Sequence, residues 1–237
     1  MSPPFVKFPT TLHLLWLGTS LPRDDKVLSR TEAEAFLKTH VTVEEKVDGA
    51  NLGISFDAQG NVLAQNRGSL LKPGAKGQFA PLWAWLSKRE SRLFDILEDR
   101  LILFGEWCYA RHSIFYTRLP DYFLAFDVFD KGEQRFLNTH RRDQIVRELE
   151  IAIVPRLGSG IFQLDKVAEL IGNSTLYNGL MEGIYLRQEC TSWLMGRAKV
   201  VRAEFIKKMG EHWSRQPMIP NLLSLGKENG SEGKKRC

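Results

Sequence analysis

Short apolar runs of strand length recur along this chain, with stretches of helical spacing set between them in no regular alternation. Leu52-Gly53-Ile54-Ser55-Phe56 alternates apolar and small residues, Asp57 to Gly60 supplies a turn, and Val62 to Gln65 resumes, which predicts a hairpin leading from Lys46 to Arg67. Runs at Leu101 to Trp107 and Tyr122 to Phe129 predict two more strands, and others would carry Glu182 and Lys199. Between them, Phe79, Leu82, Trp83 and Leu86 begin a helix that resumes through Leu93, Ile96 and Leu97. A second helix, capped near Asn138, packs Ile145, Val146 and Leu149 and turns Arg141, Arg142 and Arg147 outward. A third is expected around Leu164 to Ile171 and a last one from near Glu204. Strands interrupted by helices without a βαβ rhythm argue for an α+β fold with antiparallel sheets.

With 237 residues, 43% of them hydrophobic, the chain can bury one substantial core. A single domain over residues 1–225 with an N-terminal arm is expected, then a disordered basic tail over 226–237 containing Lys234-Lys235-Arg236. The net charge of +5 and pI near 9.1 favour a polyanionic partner without identifying it. Cys108, Cys190 and Cys237 lack the paired spacing of zinc sites, and their odd number argues against a disulfide framework, so a reducing compartment is expected. The five histidines show no metal-ligand rhythm, and His13 and His112 alone lie near interesting sequence. Phe5 to Leu17 is broken by Lys7, Pro9 and His13, so it does not read as a secretion signal, and a cytoplasmic location is expected.

The densest chemistry lies in Glu45-Lys46-Val47-Asp48-Gly49-Ala50-Asn51, a lysine followed by an acid-glycine corner between two apolar runs. A lysine there sits at a strand end with its amine aimed into a pocket, while Gly49 admits close backbone approach. The amine, with a reference pKa of about 10.4, needs cations, a metal or desolvation to lose its proton near neutrality. A charged pocket must therefore come from elsewhere in the chain.

Charged residues embedded in apolar runs follow in order. Arg67 stands in Gln65-Asn66-Arg67-Gly68, Glu106 in Leu103-Phe104-Gly105-Glu106-Trp107, and Phe126-Asp127 in Phe123-Leu124-Ala125-Phe126-Asp127-Val128-Phe129. Glu182 then stands in Leu180-Met181-Glu182-Gly183-Ile184, and Arg197 and Lys199 in Gly196-Arg197-Ala198-Lys199-Val200. Arg197 and Lys199, at alternate strand positions, face the same side and would both reach one phosphate. The series resembles the covalent nucleotidyltransferases, the superfamily of polynucleotide ligases and mRNA capping enzymes. The Glu-Lys-x-Asp-Gly-x-Asn form and the Phe-Asp pair look most like RNA ligases of the bacteriophage T4 RNA ligase 2 type.

The resemblance, which spans roughly residues 40–205, implies an ATP-grasp-like nucleotidyltransferase domain and a three-step reaction. Lys46 takes AMP from ATP, AMP passes to a 5′-phosphate on RNA, and a 3′-hydroxyl displaces it to seal the strand. It implies a catalytic set of Lys46, Asp48, Arg197 and Lys199. Glu45 would contact the base, Phe126 would stack on it, Asn51 and Arg67 would contact phosphate or ribose, and Glu106 would accept from the ribose. Glu182 is the first candidate ligand for Mg²⁺ or Mn²⁺, because hard divalent ions prefer oxygen ligands, and Asp127, the family's adjacent acid, would be either structural or a second metal ligand. The same lysine chemistry would serve an mRNA guanylyltransferase or a DNA ligase, and a catalytically inactive nucleic-acid-binding relative is the alternative from another class. Many ligases of the superfamily carry a further domain after these motifs. RNA would then be gripped by this domain's own surface, by an N-terminal arm including Arg23 and Lys26, or with an end-healing or RNA-binding partner protein.

Overall fold

The computed structural model describes residues 5–19, 26–208 and 218–224. Arg23, Cys237 and the basic tail lie outside the described residues. The elements run β1 (Leu12–Leu15), α1 (Arg30–Leu37), β2 (Val41–Lys46), β3 (Ala50–Phe56), β4 (Val62–Gln65), β5 (Leu70–Leu71), α2 (Leu82–Ser87), α3 (Glu90–Leu97), β6 (Leu101–Trp107) and β7 (Phe123–Asp130). They continue with β8 (Arg135–Phe136), α4 (Thr139–Glu148), β9 (Ala152–Ile153), β10 (Arg156–Gly160), β11 (Gly183–Glu189), β12 (Leu194–Val201) and α5 (Ala203–Lys208).

The strands form two sheets, as an α+β fold requires. One has the order β1-β12-β11-β2-β10; the other runs β5-β4-β3-β6-β7-β8, with β9 beside β7. Pairing is antiparallel except at β1–β12 and β7–β9. Period-two alternation turns one face of each sheet to a main apolar core, and the other face of the second sheet carries a smaller aromatic cluster of Phe8, Ile102, Phe104 and Phe129. In the second sheet Leu52, Ile54 and Phe56 of β3 and Leu101, Leu103 and Trp107 of β6 pack under Leu82, Leu86, Leu93 and Leu97 of α2 and α3. In the first, Val41 and Val43, Ile184 and Leu186, and Ala198 and Val200 pack against Phe36 and Leu37 of α1. The alternate residues Glu44 and Lys46, Tyr185 and Arg187, Lys199, Asn51 and Glu106 line a cavity between the sheets.

Asn138 caps α4 as expected, its side chain accepting from Arg141 N. Three expectations need correction. Lys46 ends β2 in the first sheet and the hairpin begins at Ala50 in the second, so Val47-Asp48-Gly49 is a crossover between sheets and not part of the hairpin. The helix expected around Leu164 to Ile171 is one 3₁₀ turn, Val167–Leu170, with Val167 buried in the core and Leu170 packed at its edge. Arg142, expected on the outer face of α4, is buried.

Arg142 is buried because it belongs to an ion network that ties α4 to both sheets. Arg142 Nη2 donates to Glu44 Oε1 at 2.6 Å and Arg187 Nε to Glu44 Oε2 at 2.5 Å. Arg187 Nη1 reaches Asp127 Oδ1 at 2.6 Å, Arg197 Nη1 reaches Asp127 Oδ2 at 3.1 Å, and both Arg142 and Arg187 also donate to the Phe126 carbonyl. Burial raises the pKa of Glu44, but Arg187 and Arg142 outweigh it and hold the carboxyl at about 2, below its ordinary 4.5. A depressed carboxylate contributes stability that is full above about pH 4.5 and lost as pH falls toward about 2. Urea titrations across that window should show the wild type losing stability more steeply than Glu44→Gln, which has no carboxylate there to protonate.

Candidate active site

The cavity, of about 330 Å³, is lined from the first sheet by Glu44, Glu45, Lys46, Tyr185, Arg187 and Lys199 and from the second by Asn51, Glu106 and Phe126. Its volume falls within the range of small-ligand sites. Phe8, Thr11, Val47, Gly49, Arg67 and Val154 complete the lining. Lys46 and Arg67 therefore meet in one pocket, Lys46 from the end of β2 and Arg67 from the loop between β4 and β5.

The crossover places Lys46. Gly49 N donates to Glu106 Oε1 at 3.0 Å, and a Cβ on Gly49 would stand 2.8 Å from the Trp107 carbonyl. Only glycine lets the corner settle against β6. Gly183, opposite Lys46 on β11, is equally tight, since its Cβ would meet Val200 O at 2.1 Å. That approach brings the preceding Glu182 to Lys46, whose Nζ donates to Glu182 Oε2 at 2.7 Å.

Charge divides the site into two sides. Burial, with Glu182 and Asp48 nearby, pushes Glu106 up to about 8 against the pull of Lys46, and burial also raises Glu182. For Lys46, burial acts to lower the pKa, but Glu182, Glu106 and Asp48 outweigh it, so the amine is held as an ammonium ion. On the other side, burial together with Lys46 and Arg67 lowers Lys199 to about 8, against the pull of Glu182. His13, beside Lys199 in the β1–β12 register, is lowered to about 4 by burial and by Lys199 and Lys46. A set of crowded cations facing crowded carboxylates accommodates an anionic ligand together with a cation.

Among the described residues, two buried polar atoms in the lining have no hydrogen-bond partner: Glu45 Oε2 and Asn51 Oδ1. Glu45 Oε1 accepts from Ser174 Oγ at 2.6 Å, and its other oxygen is open to a donor such as an exocyclic amine. Phe126 and Phe8 meet edge to face at 5.3 Å in the lining and offer aromatic surface to a base.

Three expected site residues have other tasks in the structure. Asp127 is fully buried with both oxygens taken by Arg187 and Arg197, so it belongs to the ion network and not to a metal site. Arg197 shares the inner face of β12 with Lys199, but its guanidinium is drawn to Asp127 and lies over Phe136 at 4.0 Å, away from a phosphate shared with Lys199. Asp48 Oδ2 accepts from the amides of Ser113 and Ile114 at 2.7 and 2.9 Å, which makes it an anchor for the corner. Among the described residues no three His, Cys, Asp or Glu side chains gather as a metal site. Glu182 fits a divalent ion that takes one or two carboxylates and keeps its waters.

The sequence reading missed Glu44, Tyr185 and Arg187, although each alternates with core residues in its strand, and it missed Asn221. Asn221 Nδ2 donates to the carbonyls of Cys108 (2.8 Å) and Ala110 (3.2 Å), and its Oδ1 accepts from Tyr116 N at 2.9 Å. Tyr116 Oη in turn accepts from Asp48 N at 2.8 Å, so segment 218–224 buttresses the lysine corner. Asn221→Ala leaves those buried groups unsatisfied and should cost about 1–3 kcal/mol, read as a lower urea midpoint.

Two sheets enclosing a lysine between opposed charged groups define a nucleotidyltransferase-type domain, and the RNA ligase family profile matches residues 39–203. This chain belongs to the RNA ligase family. Its fold is that of solved RNA ligases from Naegleria gruberi. A mutant of that ligase with ATP and Mn superposes at TM-score 0.65 and 16% identity, covering 88% of this chain and 59% of that one. Another with AMP and Mn gives 0.64 and 15%, covering 89% and 60%, and the ligase with PPi gives 0.62 and 18%, covering 89% and 64%. This chain thus spans about three-fifths of the length of those proteins. No curated protein sequence matches it. No helix among the described residues is long and apolar enough to cross a membrane.

Proposed function

We infer that this protein is an ATP-dependent RNA ligase that joins 5′-phosphate and 3′-hydroxyl RNA ends through a lysyl-AMP intermediate. The observation that carries the reading is the Lys46 amine, 2.7 Å from Glu182, at the meeting of the acidic and cationic sides. Lys46 Nζ, once its proton has passed to solvent, attacks the α-phosphorus of ATP: an N–P bond forms, the bond to pyrophosphate breaks, and pyrophosphate leaves. Lys199 and Arg67 take charge developing on the phosphate oxygens. Phe126 and Phe8 hold the adenine, Glu45 Oε2 accepts from its amine, and Glu106 with Asn51 meets the ribose.

Lys46 as found is protonated by its carboxylate neighbours. Glu182 would hold Mg²⁺ or Mn²⁺, whose positive charge would offset those carboxylates and favour the neutral amine. Arg197 holds Asp127 and supports the Phe8 and Phe136 side of the cavity. The domain would act as one unit over residues 1–225.

Incubation of the full chain with a divalent ion and labelled ATP or GTP tests the reading. Label transferred from the α-phosphate of ATP is expected, and transfer from GTP instead would assign the site to guanylyl transfer. Sealing of RNA ends but not of all-DNA ends is expected in the same preparation.

A further inference from the structure

Outside the nucleotide cavity, the inner face of β12 continues as a line of cationic and aromatic side chains. Two residues back from Lys199, Arg197 Cζ lies 4.9 Å from the Phe8 ring centroid and 4.0 Å from that of Phe136. Phe136 follows Arg135 in β8, and Arg135 Nη2 lies 3.4 Å from Sδ of Met195, a residue 58% exposed. Two residues further back is Trp193, over whose ring both Arg135 and Arg141 place a guanidinium, each with Cζ 4.9 Å from the centroid. The loop bearing Trp193 is fixed in advance: Asn138 Nδ2 donates to the carbonyls of Cys190 and Thr191 at 3.0 and 2.8 Å, and Arg141 Nη1 to that of Ser192 at 3.4 Å.

The charge state of this cluster differs from that of the buried network. Arg142, Arg187 and Arg197 each have a carboxylate partner, whereas neither Arg135 nor Arg141 is ion-paired among the described residues. Asp130, opposite Arg135 across the β7–β8 ladder, turns its Oδ1 to the amides of Gly132 and Glu133. Two uncompensated guanidiniums beside an indole suit a ligand with regularly spaced anionic groups and flat faces, since arginine binds phosphate through its fork and stacks through its plane. Trp193 immediately precedes β12, six positions from Lys199 and so up to about 20 Å from it at about 3.3 Å per residue, a distance of a few nucleotides.

We propose that Arg135, Arg141 and Trp193 grip the single-stranded RNA segment next to the end being joined. The proposal rests on the RNA ligase reading of the cavity and supplies that domain with an RNA-binding surface of its own.

Anisotropy titrations of a 5′-phosphorylated single-stranded RNA into the full-length wild type and Arg135→Ala/Arg141→Ala, over a series of salt concentrations, test it. The double variant should bind at least about tenfold more weakly. Its slope of log affinity against log salt should fall by about 1.4, that is about 0.7 for each phosphate no longer neutralised. Self-labelling by ATP should be unchanged in the double variant, because both arginines lie outside the nucleotide cavity. RNA should also slow alkylation of Cys190, which is exposed in the same loop, as read by peptide mass spectrometry. Unchanged affinity and slope would overturn the proposal, as would an acidic polypeptide displacing the RNA at equal charge concentration. If the wild type shows arginine-dependent RNA binding but never takes label from ATP, the ligase reading fails and the grip stands.

Discussion

Lys46→Ala is expected to form no adenylated enzyme, with a loss of at least about 10³-fold in self-labelling and in RNA sealing from unadenylated ends. The cavity offers no substitute. Lys199, the other amine in the lining, sits on the phosphate side and, among the described residues, is not joined to the acidic carboxylates by a hydrogen bond. Lys46→Arg should fail as completely, because a guanidinium keeps its proton at any workable pH. If RNA already carrying a 5′-adenylate is supplied, the alanine variant should recover much of its sealing, since the lysine's covalent role is then over. That split between steps separates a lost nucleophile from a damaged fold.

Arg187→Met is expected to cost about 3–5 kcal/mol, a large share of the total for a domain of this kind. Arg187 is fully buried and donates at once to Glu44, Asp127 and the Phe126 carbonyl, so its loss leaves charge uncompensated in the interior. The effect should appear as a lower urea midpoint. Because the network joins β2, β7, β11 and α4, the variant should also hold nucleotide more weakly than its remaining stability alone would suggest. Retention of wild-type stability would mean that Arg142 and Arg197 suffice to balance Glu44 and Asp127.

The parts of the site that were legible in the sequence are those where chemistry restricts the residue type at a strand end. Lys46, Glu106 and Lys199 are charges inside apolar runs, and each does line the cavity; Glu182, in the same kind of setting, bonds the lysine. The antiparallel sheets were legible for a related reason, since period-two alternation in Leu52 to Phe56 is a local property. What stayed hidden depends on partners distant in sequence. Arg142 reads as an outward arginine on α4 until Glu44, 98 positions away, is brought beneath it. Arg197 reads as a phosphate clamp until Asp127, 70 positions away, claims it. Nothing local in Asn221 announces that it bonds Tyr116, 105 positions away. The crossover at Val47-Asp48-Gly49 looked like the start of a hairpin because a turn between sheets and a turn within one use the same residues.

The central claim is best tested by peptide mapping after the wild type is incubated with ATP and Mn²⁺, quenched in base and digested. One peptide heavier by a single AMP is expected, with fragment ions placing the adduct on Lys46. An adduct on another side chain, or none on protein shown to be folded and to bind ATP, would contradict it.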